Sequence, residues 1–221
     1  MRRIRLVYHL VDGRSGEGAA LGLSFPTAWG QSITAVCTSA RTSPHNKVFL
    51  EGLRATLTSD GSYRAATLPE RPVRALRAFG DWIYAGWAMS QAFYRERVWS
   101  EIGFASLEDF LVRAWEGNFL RRNPEDLLSM IETWMRSDIS DNPIFKGELA
   151  KALSAISARA IIMPSTTDLY FTVEDSEAET SLMPNAVFRP IHSIWGHRAG
   201  NPIQCPEDEA VLRAAVHELL G

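Results

Sequence analysis

Residues 159–220 read as strand, turn, helix, strand, loop, helix, and that order leaves few folds open. Ala160-Ile161-Ile162-Met163 is a short unbroken apolar run, the kind of segment that is buried on both faces of a parallel sheet. Ala186-Val187-Phe188-Arg189-Pro190-Ile191 is a second extended run, and the acid-rich stretch 173–183 lies between them. Strands joined through a helix run parallel, so the chain is expected to be α/β.

The rest of the chain fits that class. Ile4 to Val11 reads as a short buried strand, and the alternating, β-branched Ser32 to Thr38 as another. Residues 46–145 read as a helical block. Ser106 is expected to cap a helix, with Asp109 completing a capping box. Asn123-Pro124-Glu125-Asp126 marks another start: a cap, a proline in the first turn, and acids at the positive dipole end. Behind it, Leu127, Met130, Ile131, Trp134 and Met135 fall on one helical face. A further helix is expected over about 146–156, and Pro206 opens a last one to Leu220. The organisation expected is a core from 1–45 and 146–221, with 46–145 a helical insertion. An insertion near a catalytic face is the usual place for a lid.

Composition narrows function. The 221 residues carry a net charge of −3 and a pI near 6.0, which gives no footing for nucleic acid or an anionic membrane. Cys37 and Cys205 are too few for a disulfide framework, and the cytoplasm is the default location. The opening Met1-Arg2-Arg3-Ile4-Arg5 looks briefly like a signal peptide. Its apolar stretch is broken by Arg5, His9 and Asp12, and no small-residue cleavage site follows. No run approaches the length of a membrane span.

Two residues stand where chemistry is done on a parallel sheet. Asp168 ends the turn after the 159–164 strand, and His197 follows the 186–192 strand in Ile194-Trp195-Gly196-His197. Strand, acid, helix, strand, histidine is the back half of a Ser-Asp-His site: the acid fixes the imidazole tautomer and the imidazole takes a serine proton. Alone, Asp168 also reads as a turn or capping aspartate, and His197 as a solvated loop histidine. Ser15, in Gly13-Arg14-Ser15-Gly16-Glu17, is the tempting nucleophile. A nucleophile elbow is Gly-x-Ser-x-Gly, and Glu17 occupies the second glycine position, so a Gly/Ser turn is the favoured reading. His45 has no metal-spaced partner, so no metal and no cofactor is expected. The Trp and Met residues of 46–145 read as core or as the lining of an apolar pocket. Glu174, Asp175, Glu177 and Glu179 read as a solvated helix face.

From Thr34 onward the chain resembles the homoserine O-acetyltransferase-like branch of the α/β-hydrolase superfamily. The resemblance rests on Cys37-Thr-Ser-Ala-Arg41-Thr-Ser-Pro-His-Asn46, Thr167-Asp168-Leu-Tyr-Phe171, Asp175-Ser-Glu-Ala-Glu179 and Ser193-Ile-Trp-Gly-His197. It implies a partial α/β-hydrolase fold, a parallel sheet with an inserted helical lid. It implies that Asp168 and His197 are catalytic acid and base in acyl transfer or ester hydrolysis through an acyl-serine intermediate. The substrate would be a small acyl ester or thioester, and a homodimer is compatible. Homoserine acyltransferases carry an aspartate after the histidine to receive the substrate amine. Arg198 stands there, which argues against homoserine as acceptor.

A second departure concerns the nucleophile. The family has a long stretch ahead of its elbow, so the front of the fold is expected to be missing here. The family also reads Leu-Val-Tyr-Gly-Trp-Ser-Met-Gly where this chain has Leu6-Val7-Tyr8-His9-Leu10-Val11-Asp12. One permitted codon set for Leu10 to Gly22, read one base later, encodes Trp-Ser-Met-Gly-Ala-Gln-Ala-Lys-Ala-Leu-His-Trp-Ala, an elbow followed by a helix. His9 is not recovered as glycine by that shift. The alternative expectation is therefore an inactive remnant or frameshifted fragment of such an enzyme.

Overall fold

The computed structural model describes residues 4–8, 32–63 and 72–220. Four strands, β1 (Ile4–Tyr8), β2 (Ser32–Val36), β3 (Arg159–Met163) and β4 (Ala186–Phe188), form one parallel sheet in the order β1-β2-β3-β4. Ile4 pairs with Ser32, Ser32 with Arg159, and Ala160 with Ala186. A further parallel bridge joins Ser165 to Ile191 beyond the strand ends. The expected strand over 186–192 is therefore interrupted after Phe188, at Arg189-Pro190, and resumes as a single bridge.

A parallel sheet must be covered on both faces, and alternation along the strands sorts the cover. Ile33, Ala35, Ala160 and Ile162 pack with Leu153, Ile156 and Met183, from the side of α9 (Leu149–Ser154) and α10 (Val173–Ser181). Val36, Ile161 and Met163 pack instead with Leu212, Ala215 and Leu219 of α11 (Pro206–Leu220). The helix expected over 146–156 is shorter than read, because Lys146 and Gly147 adopt positive φ.

Between β2 and β3 the chain is helical: α1 (Pro44–Thr58), α2 (Val73–Ala78), α3 (Ala85–Ala88), α4 (Gln91–Arg95), α5 (Val98–Glu101), α6 (Leu107–Phe110), α7 (Gly117–Phe119) and α8 (Pro124–Met135). Widened π-helical turns at Phe79–Tyr84 and Leu111–Glu116 join α2 to α3 and α6 to α7. α1 starts at Ser43, whose side chain accepts from the Asn46 amide, and it buries Asn46, Phe49, Leu50, Leu53 and Leu57 along one face. The α8 start is as read: Asn123 accepts from the Glu125 amide, with Leu127, Ile131 and Trp134 buried. At Ser106 the box is displaced. Its hydroxyl takes the Asp109 amide at 3.0 Å, but the Asp109 carboxylate takes the Ala105 amide, one residue early. The tryptophans expected in a core divide: Trp99, Trp115 and Trp134 are buried, whereas Trp82 is 80% exposed. Among the described residues, no helix is long and apolar enough to cross a membrane.

Candidate active site

Asp168 and His197 meet. The imidazole Nδ1 lies 2.9 Å from Asp168 Oδ2. The Asp168 side chain is fully buried and that of His197 almost so. Both follow the carboxyl ends of adjacent parallel strands, where ligands of open α/β sheets bind.

Local sequence explains how each is held. The turn after β3 closes with the Asp168 amide donating to the Ser165 carbonyl at 3.1 Å. Asp168 Oδ1 then accepts the Tyr170 amide at 2.8 Å and the Phe171 amide at 3.3 Å. This is the turn-aspartate role, carried out by one oxygen while the other holds the histidine. With Oδ1 fixed by amides, Oδ2 is aimed and the Nδ1–H tautomer is selected, leaving Nε2 as the basic nitrogen.

The histidine loop is tied to the aspartate turn by the preceding residue. Thr167 Oγ1 donates to the Ser193 carbonyl at 2.8 Å and accepts the Gly196 amide at 3.1 Å. Ser193 Oγ donates to buried Asp208 at 2.6 Å, anchoring the loop to α11. Gly196 sits at φ 62, and a Cβ there would lie 2.8 Å from the Ala88 carbonyl oxygen and the Ser90 amide. Only glycine allows the helical layer to approach this closely. The Ser90 hydroxyl completes the contact by donating to the Ile194 carbonyl.

Rings enclose the pair. Tyr170 meets the His197 ring edge-on, with centroids 5.0 Å apart at 87°, and Phe171 lies at 5.5 Å. Tyr170 is stacked on Trp87, and its carbonyl accepts from Asn46 Nδ2 at 2.8 Å. These residues exclude water and strengthen the Asp–His interaction. Sequence reasoning placed Asp168 and His197 but passed over Thr167, Asn46 and Tyr170. Their signal is adjacency to the aspartate and a polar position on the apolar face of α1.

One reading is corrected. Glu179 is not part of a solvated face. It is half-buried, and both its carboxylate oxygens accept the Ala40 amide, at 3.1 and 2.9 Å. Burial pushes its pKa from 4.5 up to about 7, against the pull of the Ala40 and Arg41 amides. Helix periodicity could have found it, since Glu179 lies three residues after buried Ser176. Ser15 lies outside the described residues. Among the described residues, Cys37, Asp168 and His197 form the cluster in which three groups able to ligate a metal converge, within 4.8 Å. The carboxylate and imidazole are bonded to each other there, and a cation would have to break that bond.

The chain is similar to known proteins in sequence and in fold. The chain is 34% identical over 166 residues to an ethyl acetate hydrolase of Pseudomonas veronii, covering 74% of this chain and 46% of that protein. It is 29% identical over 161 residues to a probable esterase of Corynebacterium glutamicum, covering 72% and 45%. The chain thus spans about half the length of the curated relatives it matches. Among solved structures, the acetyl esterase MekB matches with a TM-score of 0.85 and 29% identity, over 91% of this chain and 57% of that one. A homoserine O-acetyltransferase from Bacillus anthracis matches with a TM-score of 0.70 at 17% identity, over 88% and 56%. No protein-family model matches. The fold is a partial α/β-hydrolase fold, and the superfamily is that of the α/β-hydrolases.

Proposed function

We propose that Asp168 and His197 are the acid and base of an enzyme that cleaves short-chain acyl esters through an acyl-serine intermediate. The observation that carries this is the buried 2.9 Å contact between Nδ1 and Oδ2, at the ends of adjacent parallel strands. His197 Nε2 takes the serine proton as the hydroxyl oxygen attacks the ester carbonyl. The imidazolium returns that proton to the departing alcohol, and water then cleaves the acyl-serine by the same exchange. Asp168 fixes the tautomer and stabilises the imidazolium. The acetyl group is favoured as the acyl unit, because related proteins carry the names ethyl acetate hydrolase and acetyl esterase. Water or a small alcohol is the acceptor. Arg198, half-buried beside His197, replaces the acidic group that a homoserine amine would need. The helical residues 46–145 act as a lid, and the cytoplasm is the site of action.

The nucleophile belongs at the carboxyl end of β1, separated by β2 from β3, the strand that precedes Asp168. Glu17 spoils the elbow around Ser15 and would set a carboxylate near the developing oxyanion. This favours a second reading for the chain as written: the elbow serine is encoded one base out of frame, and the acid–base pair has no nucleophile to activate. Two experiments test these readings. Sequencing the gene upstream of Met1 and across codons 9–30 is expected to reveal Trp-Ser-Met-Gly in the shifted frame. The frame-restored protein is expected to hydrolyse p-nitrophenyl acetate faster than longer acyl esters, and the present chain to leave both untouched. A restored protein that turns over no acyl ester would refute the hydrolase reading.

A further inference from the structure

We propose that Cys37 is a positioning residue for this pair: its thiol holds the Asp168 carboxylate and tempers the pull of that carboxylate on His197. The inference rests on the hydrolase reading above. Three neighbouring strands supply the three groups, with Cys37 after β2, Asp168 after β3 and His197 after β4. The cysteine sulfur, a carboxylate oxygen and a ring nitrogen all lie within 4.8 Å of one another. All three residues are buried, with Cys37 2% exposed.

The sulfur is a fixed partner in this arrangement. The thiol lies beside the Asp168 carboxylate, with the Ser165 and Gly200 backbones against it. Cys37 adopts φ 46, a left-handed conformation that side-chain-bearing residues rarely take. Its amide donates to the Met163 carbonyl at 3.0 Å, continuing the β2–β3 ladder through that bend. Gly200 leaves room for the sulfur: a Cβ there would lie 3.0 Å from Sγ and 3.1 Å from the cysteine Cβ. Core filling alone does not call for a strained backbone and a glycine opposite.

The chemistry follows from the donor. A thiol is a weak hydrogen-bond donor, so it orients the carboxylate without neutralising it. Burial and the neighbouring Asp168 push the thiol pKa well up. The proton therefore stays on sulfur, and Cys37 is no nucleophile. The S–H dipole draws charge from Asp168 and lowers its capacity to stabilise the imidazolium.

Nuclear magnetic resonance of the whole chain with isotope-labelled histidine and cysteine tests this without turnover. The wild type is expected to show a far-downfield Nδ1 proton for His197. Cys37→Ala should raise the His197 pKa and move that proton further downfield. Cys37→Ser, which keeps a donor, should restore both toward wild type. Should Cys37→Ala fail to fold, the reciprocal measurement keeps the packing: Asp168→Asn should lower the Cys37 thiol pKa, read from its Cβ shift against pH. If Cys37→Ala melts earlier yet leaves the His197 titration and its Nδ1 proton unchanged, Cys37 is a core filler and the inference fails alone. A thiol pKa unmoved in Asp168→Asn has the same meaning. Absence of the downfield proton in the wild type would overturn both this inference and the acid–base pair beneath it.

Discussion

Around Asp168 and His197 the chain is fixed by directed hydrogen bonds, whereas the helical layer packed on them is fixed by rings. In the strand-end loops, both Asp168 oxygens and His197 Nδ1 are engaged, and Thr167 links the two loops through two further bonds. In the helical layer Phe49 touches Tyr84, Trp87, Trp134 and Tyr170, and Phe79 touches Tyr84 and Phe119. Among the described residues, Asp81 Oδ1 in that layer is buried with no hydrogen-bond partner. The loops add Tyr170 and Phe171 to the apolar packing, and their hydrogen bonds set the geometry of two atoms. The layer buries much apolar area and sets the shape and dryness of the space beside them. A change in the first should therefore alter chemistry at nearly constant stability, and a change in the second the reverse.

The largest break expected is in the loops. In the frame-restored protein, Asp168→Asn should lower kcat for p-nitrophenyl acetate by on the order of 10⁴ by selecting the wrong tautomer, with little change in Tm. Next comes the layer. Phe79→Ala, at 1% exposure, should cost about 3–5 kcal/mol of stability in denaturant melts. Gly196→Ala sits on the joint between the regions and should lose both stability and activity. Its strain is on the order of 1–3 kcal/mol, and its Cβ would push against α3. An equal loss of activity in Phe79→Ala and Asp168→Asn would erase the distinction between the regions.

A smaller effect separates them by pH. Burial raises Glu179 from 4.5 to about 7, and burial with the nearby Glu116 charge raises Asp81 from 3.8 to about 6. The folded chain then holds more protons than the unfolded chain between the two sets of values. Stability should therefore fall as pH rises through that window. Glu179→Gln should flatten the part of the fall nearer pH 7, and Asp81→Asn the part nearer pH 6. Melting curves from pH 4 to 8 would check both. Smallest is the cap: Asn123→Ala should cost about 1 kcal/mol.

What was legible in the sequence follows the same division. The sheet and the Asp168–His197 pair could be read because strand runs, turn residues and their order along the chain are local signals. The α8 start was legible for that reason too. Glu179 carried one local signal, its spacing from buried Ser176, but its partner amide at Ala40 is far away in sequence. Gly196 gave no hint of its role, since its constraint comes from the backbone of α3. The widened turns at Phe79–Tyr84 and Leu111–Glu116 were invisible because helical periodicity hardly changes across one turn. Cys37 is legible in the sequence only as one of two cysteines too few for a disulfide framework, and only convergence of three strand ends sets it beside Asp168 and His197.

The central claim is that His197, oriented by Asp168, activates a serine at the end of β1. A fluorophosphonate probe with mass-spectrometric mapping tests it most directly. The account predicts labelling of the frame-restored protein at the serine of Trp-Ser-Met-Gly, abolished by His197→Ala, and no label on the chain as written. Stoichiometric labelling of Ser15 in the present chain, or undiminished labelling of the restored protein in His197→Ala, would contradict it.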